Sequence, residues 1–122
     1  MDKILNFSSN VVNIYNKYGT EIIQSIPKEP IPLKVEEDCT ETIETTVEGI
    51  EIIFSPRYKQ LNFEPPNNVD IIVSITVAKH LKKEKAIYPN IGHVYTVDYT
   101  QEGIVRNNVG GIIGTKRLIR YL

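Results

Sequence analysis

The chain of 122 residues contains no tryptophan, one methionine, two histidines and a single cysteine, Cys39. A lone cysteine allows no disulfide within the chain, and no apolar run is long enough to span a bilayer or to form a secretory signal. The formal net charge is only −1, so no overall field would attract DNA, RNA or a membrane surface. We therefore expect a cytoplasmic protein that binds neither a nucleic-acid polymer nor a membrane.

The motifs of enzyme active sites and metal centres are also missing. His80 lies in a lysine-rich stretch and His93 follows a glycine, and neither stands in a motif that would place it beside Cys39 or a serine. There is no metal-ligand spacing and no phosphate-binding loop of the Gly-Lys-Ser type. The acidic run at residues 36–51, interleaved with threonines, is typical of a hydrated strand rather than a chelating loop. The sequence predicts ligand binding without catalysis, metal or cofactor.

Isoleucine and valine dominate the apolar residues, which favours half-buried β-strands over helix bundles. The length is about that of one domain, with a core small enough to gain from oligomerisation. We predict an α+β fold over residues 1–122. It would be a single small domain of mainly antiparallel β-sheet with one short helix, and it would form an oligomer.

Hydrophobic alternation and turn residues place the elements along the chain. Ser74 is positioned to cap the helix, which would run to Lys83 and carry lysines that suit the negative end of the helix dipole. Residues 55–59 and 65–68 read as loops, and residues 86–89 read as extended chain. Strands are predicted twice within residues 1–15, then at residues 20–26, across the acidic residues 34–51 with a bend near Gly49, and at residues 50–54, 69–73 and 94–99.

The last predicted hairpin, residues 104–114, has a centre of asparagine and glycine between two β-branched runs. These residues accept the backbone angles of a tight turn most readily. Arg106 stands just before the turn, beside the side-chain amides of Asn107 and Asn108. The hairpin is therefore either an anion cradle or a surface turn with a solvated arginine.

A second group of candidate ligands follows the strand at residues 50–54. Arg57, Tyr58 and Lys59 leave that strand together, so one loop could supply two cations and one face for stacking. Seven tyrosines suit interfaces as well as stacking, so a tyrosine alone does not distinguish the two.

Ordered short motifs over most of the chain resemble the Thoeris anti-defence proteins of the first type, a family of short phage-encoded proteins. The motifs are Ile4-Leu5-Asn6-Phe7 with Val12-Asn13, Ile26-Pro27, Gly49-Ile50, Ile71-Ile72-Val73-Ser74, Val77-Ala78, Tyr88-Pro89, Val105-Arg106-Asn107 and Gly111-Ile112-Ile113-Gly114. Two segments depart from the pattern. Residues 91–103 resemble an insertion, and residues 39–47 are lengthened and acidic.

The resemblance implies a sponge in the cytoplasm of an infected bacterium. Such proteins sequester the glycocyclic ADP-ribose signal of bacterial TIR enzymes without cleaving it, and they assemble as dimers and higher oligomers. Some members also hold cyclic oligonucleotide signals at a separate site. Capture of a scarce signal implies nanomolar affinity, about −12 kcal/mol, which one arginine cannot provide. We therefore expect loops that converge across a subunit interface.

The expected ligand contacts come from both candidate groups and from one further tyrosine. Arg57, Lys59 and Arg106 would meet phosphates, Tyr58 or Tyr88 would stack on the base, and Asn107 and Asn108 would order the turn or bond the ribose. The alternative for the tyrosines is packing within the sheet or dimer seam, and for the arginines a surface ion pair with the acidic stretch. The alternative function is that of an inhibitor that blocks another protein through an exposed strand edge; a small hydrolase is a remote third option.

Overall fold

The computed structural model describes residues 3–39, 42–54 and 57–122, and at positions 38, 39, 42–44, 53, 54, 57 and 58 it describes the backbone alone. The described chain forms twelve strands, one α-helix and one short 3₁₀ turn. The elements are β1 (Ile4–Asn6), β2 (Val12–Tyr15), β3 (Ile22–Ile26), β4 (Val35–Cys39), β5 (Thr42–Val47), β6 (Ile50–Phe54), β7 (Arg57–Leu61), β8 (Asp70–Ile72), α1 (Ile75–Lys83), the 3₁₀ turn (Lys85–Ile87), β9 (Val94–Val97), β10 (Ile104–Arg106), β11 (Ile112–Thr115) and β12 (Leu118–Arg120).

One four-stranded sheet has the order β1-β8-β9-β12 and is buried on both faces in its middle. Strands β1, β8 and β9 are parallel, and β12 runs antiparallel to β9. Ile71 and Val73 point to the core cluster that includes helix α1, whereas Ile72 packs with Val12 and Ile26 of the second sheet. Because both faces of β8 are covered, its sequence is a continuous β-branched run without polar alternation.

The second four-stranded sheet has the order β10-β11-β2-β3. β10 and β11 form the final antiparallel hairpin, and β2 pairs antiparallel with β3. A single parallel pairing, Thr115 with Ile14, joins the two halves. Gly114 lies so close to Tyr15 and to the Asn13 carbonyl that a Cβ at this position would collide with both. Glycine therefore permits the close approach of β11 to β2.

Helix α1 begins and ends as its sequence indicates. The Val77 N–H donates to the Ser74 hydroxyl over 3.3 Å at the N-cap. Val77, Ala78 and Leu81 are buried against the first sheet, and the last turn is basic. Within the described residues, no helix is long and apolar enough to cross a membrane.

Strands β4 to β7 form two antiparallel pairs, which we name the ribbon. β4 pairs with β7 from Val35↔Leu61 to Cys39↔Arg57, and β5 pairs with β6 with a register shift between Ile43 and Thr45. The ribbon turns at Glu48 and Gly49, which have φ values of 51° and 79°. Every residue from position 45 to 52 is exposed, so this end of the ribbon does not contribute to the core.

The α+β class and the single small domain are confirmed, as are the Ser74 cap, the bend near Gly49 and the final hairpin. The loop prediction for residues 55–59 is wrong where it can be checked. Residues 57–59 belong to β7 and pair with the acidic strand β4, while residues 55 and 56 lie outside the described part. The 3₁₀ turn replaces the extended chain predicted at 86–89, and β12 was not predicted.

Candidate functional site

The final hairpin holds three of the predicted ligand residues, and its own hydrogen bonds occupy two of them. The Asn107 Oδ1 atom accepts from the N–H groups of Val109 and Gly111 at 3.1 and 2.8 Å. Arg106 Nη1 donates to the Gly110 carbonyl over 2.7 Å. Asn107 therefore orders the turn, which is one of its two predicted roles. Arg106 and Asn108 are exposed at the surface of this hairpin.

Tyr88 follows the 3₁₀ turn and packs against the core cluster of helix α1. Burial raises the pKa of its phenol, and the carboxylates of Glu64 and Glu84 raise it further. Tyr88 also lines a cavity of about 670 Å³ with Pro89 and His93. Packing, the alternative stated for this tyrosine, is thus observed, and base stacking by Tyr88 stays a prediction.

Lys59 lies on β7 and pairs with the acidic strand. Its Nζ atom is 3.7 Å from a carboxylate oxygen of Glu37, and both side chains are about half exposed or more, at 62% and 48%. An ion pair this accessible contributes little stability. The predicted partners Arg57 and Tyr58 have backbone positions in β7, but their side chains lie outside the described residues.

Lys59 also lines a cavity of about 610 Å³ between the ribbon and helix α1, which we name the basic cavity. The helix contributes Thr76, Lys79, His80 and Lys83, which are spaced three or four residues apart and therefore share one face. The remaining lining residues are Val35, Ile75 and Glu84. Three lysines line this cavity, and Glu84 is the one carboxylate among its described lining residues, although Lys59 also lies 3.7 Å from Glu37. The excess of lysines suits an anionic ligand.

Sequence reasoning assigned the helix lysines only to the helix dipole and missed their convergence on Lys59. The spacing of Lys79 and Lys83 by four residues indicates a shared face. That spacing alone does not reveal the contact with Lys59, because the sequence predicts a loop at residues 57–59. Only the pairing of β7 with β4 shows which ribbon residue faces the helix.

A further cavity of about 680 Å³, which we name the crevice, was not anticipated from the sequence at all. It lies where β2 and β11 diverge from their single pairing, and β9 closes it from the other sheet. Tyr15 and Tyr99 contribute aromatic rings, and Asn13 contributes an amide. The volume lies within the ordinary range of small-molecule sites.

The described candidate residues do not converge within one chain. Lys59 lines the basic cavity, Tyr88 lines a cavity beside the 3₁₀ turn, and Arg106 lies on the final hairpin. A site that used all three would therefore need a second subunit.

No protein-family model, curated protein or solved structure matches this chain. The likeness to the Thoeris anti-defence family therefore stays a prediction based on the sequence motifs. The geometry of the cavities is the independent observation from which a function can be argued.

Proposed function

We propose that this protein is a phage anti-defence sponge that binds a cyclic ADP-ribose-type signalling nucleotide and releases it unchanged on denaturation. The basic cavity is the observation that supports the proposal. Lys59, a predicted phosphate ligand, lies there with Lys79, His80 and Lys83, and the cavity volume of about 610 Å³ suits a small nucleotide. A pyrophosphate presents two adjacent negative charges, and several lysines within one concave surface can neutralise both.

Among its described lining residues, the basic cavity provides cations but no tyrosine, phenylalanine or tryptophan for stacking. Stacking on adenine adds roughly 1–3 kcal/mol per base, and ordering costs must be subtracted from the sum of the contacts. In this proposal a neighbouring subunit brings Arg106, Asn108 and a tyrosine to the cavity. The sponge is therefore a homodimer or higher homo-oligomer in the cytoplasm of an infected bacterium, without metal or cofactor.

The decisive experiment incubates purified protein with the cyclic ADP-ribose-type signal, removes free ligand, denatures the protein and identifies the released molecule by mass spectrometry. We expect intact ligand in stoichiometric amount. Conversion to a linear product would show an enzyme. Failure to retain any ligand would leave the protein-blocking alternative.

The residues that hold the ligand are tested with matched charge changes. The double variant K79Q/K83Q should lose most retention, because both lysines line the basic cavity. The control K28Q/K82Q removes the same charge from exposed lysines outside that cavity and should retain the ligand. The variant R57E/R106E should also lose retention while the oligomer stays intact; unchanged affinity would contradict the role of these arginines.

One observation favours the second candidate, an inhibitor that blocks a protein of the host defence. Val47, Ile50 and Ile52 of the ribbon are 50%, 66% and 40% exposed. Val47 faces Ile50 across the strands, and Ile52 lies on the same side of β6 as Ile50. Exposed apolar side chains on one side of a two-stranded segment suit contact with another protein. If the protein retains the ligand and forms its oligomer through this face, the exposed apolar side chains are explained without a host partner.

A further inference from the structure

The parallel strands of the first sheet bring three chain segments to one edge. β1, β8 and β9 run in the same direction, so their carboxyl ends lie together. β1 leads into Ser8, Ser9 and Asn10, β8 leads through Ser74 into helix α1, and β9 leads towards Tyr99. In sheets with parallel strands, ligands bind preferentially in the space outside these carboxyl ends.

The first segment is held in place by a buried side chain. Asn6 is fully buried, and its Nδ2 atom donates to the Asn10 carbonyl over 2.8 Å. Its Oδ1 atom accepts from the Ser8 N–H over 3.0 Å and from the Ser8 hydroxyl. The loop at residues 8–10 is therefore ordered before any ligand arrives, which reduces the entropy cost of binding.

The second segment is the N-terminus of helix α1. The Ser74 hydroxyl accepts from Val77 N–H, and the Ala78 N–H donates to the Ser74 carbonyl. The intrahelical pattern provides no acceptor for the N–H groups of Ile75 and Thr76. No acidic residue lies in the first turn, so the positive end of the helix dipole has no side-chain counter-charge there.

A third, independent observation comes from β9. The Thr96 side chain is only 1% exposed, and among the described residues its Oγ1 atom has no hydrogen-bond partner. A buried hydroxyl without a partner is costly, and such groups in native structures call for a specific explanation. Thr96 lines the same cavity as Ser74 and Ile75, which begin the helix. A ligand atom in this cavity would supply the missing partner.

This cavity has a volume of about 210 Å³, and its polar lining consists of uncharged groups. They are the side chains of Ser8, Ser9, Asn10, Ser74, Thr96 and Tyr99. Backbone N–H groups at a helix N-terminus bind phosphoryl groups, and hydroxyl groups beside them can add further donors. The cavity shares Ser8, Asn10, Val97 and Tyr99 with the crevice, so the two spaces adjoin, and we name them together the concavity.

We propose that this concavity binds a mononucleotide, with the phosphoryl group at the N-terminus of helix α1 and the nucleoside in the crevice. Thr96 Oγ1 donates a hydrogen bond to a phosphoryl oxygen, and the N–H groups of Ile75 and Thr76 donate to the same group. Tyr99 and Tyr15 line the space for the base and ribose. The site does not include the lysines of the basic cavity, although Ile75 borders both spaces, and the proposal does not depend on the sponge function.

The test titrates the full-length protein with AMP, inorganic phosphate and adenosine by calorimetry and by amide chemical shifts. We expect AMP to bind more tightly than either fragment, with shifts at Ile75 and Thr76. The variant T96V should weaken AMP binding by about ten-fold or more, because it removes a hydrogen bond to a charged group. Its melting temperature should not fall, because the hydroxyl has no partner in the free protein.

Two matched variants keep this test decisive. T46V makes the same chemical change at an exposed threonine of the ribbon, outside the cavity, and should bind AMP like the wild type. I75D places a carboxylate in the first helical turn, where it stabilises the helix but repels phosphate, so it should abolish binding without loss of stability. Wild-type affinity for AMP in T96V, or no saturable AMP binding by the wild type, would overturn the proposal. K79Q/K83Q should bind AMP normally, so failure of the sponge proposal can be distinguished from failure of the mononucleotide proposal.

Discussion

Asp98 and Arg117 form an ion pair in which the acid is buried and the base reaches solvent. The Arg117 Nε atom lies 2.5 Å from Asp98 Oδ2, and the side chains are 58% and 1% exposed, respectively. The other carboxylate oxygen of Asp98 accepts from the hydroxyl and the N–H of Thr100 at 2.7 and 2.9 Å. This pair fixes the end of β9 against the start of β12.

The first prediction is a loss of stability in acid through Asp98. The hydrogen bond from the Thr100 hydroxyl, then that from Arg117, then that from the Thr100 N–H, lower the pKa of Asp98 to about 2. Because the folded-state pKa lies below the unfolded value of about 3.9, the stabilisation is complete above about pH 5 and is lost as the pH falls through about 2. Melting temperature measured from pH 6 to pH 2 should fall most steeply in that window.

The matched test of this assignment is D98N against E21Q. D98N should be less stable than the wild type at neutral pH, and its melting temperature should decline much less below pH 4. E21Q changes an exposed acid and should keep the wild-type profile. An acid transition of D98N that equals the wild-type transition would contradict the role of Asp98.

The second prediction concerns Gly103, which is buried beside the same carboxylate. A Cβ at this position would collide with the Asp98 side chain, which is held by Thr100 and Arg117 and cannot move aside without breaking those bonds. G103A should therefore cost about 1–3 kcal/mol of unfolding free energy, the usual range for overpacking. Urea denaturation gives this value directly. G111A is the control, because its Cβ would meet only the exposed Asn107 amide at 3.0 Å, and it should cost less.

The third prediction separates the two asparagines of the final hairpin. Asn107 accepts two backbone hydrogen bonds within the turn, whereas Asn108 is exposed. N107A should lose about 1 kcal/mol of stability, and N108A should stay within about 0.5 kcal/mol of the wild type. N108A is then assayed for retention of the signalling nucleotide, which it should weaken only if the Asn108 amide bonds the ribose. Equal stabilities of the two variants would show that the turn does not need the Asn107 side chain.

The local parts of this fold were predictable from sequence because their causes are local. Ser74 caps the helix with its own hydroxyl, and the β-branched run at Ile71, Ile72 and Val73 indicates a strand covered on both faces. Strand β7 was missed because its pairing with the acidic strand β4 depends on register across the ribbon. The short β12 was missed because a three-residue strand has too little alternation to detect.

The candidate sites were less predictable because they depend on which strand ends meet. Nothing in residues 8–10 alone indicates that they lie beside the start of helix α1. That proximity follows from the parallel pairing of β1 with β8, which brings together segments more than sixty residues apart. Lys59 was predicted as a phosphate ligand and lines the basic cavity, whereas the helix residues that line the same cavity were not predicted as ligands.

The last prediction tests whether the exposed end of the ribbon is an interface between copies of this chain. Val47 and Ile50 face each other on one side, and Thr46 and Glu51 face each other on the other side. If the sponge assembles through the apolar side, V47K should shift the protein to a smaller species in sedimentation velocity, because a buried lysine without a partner is costly. T46K adds the same charge to the polar side and should leave the assembly unchanged. A wild-type protein that sediments as a monomer, or a V47K variant with an unchanged assembly, would exclude this face as the interface. Retention of the signalling nucleotide by the same V47K variant then shows whether the ligand site requires the second subunit.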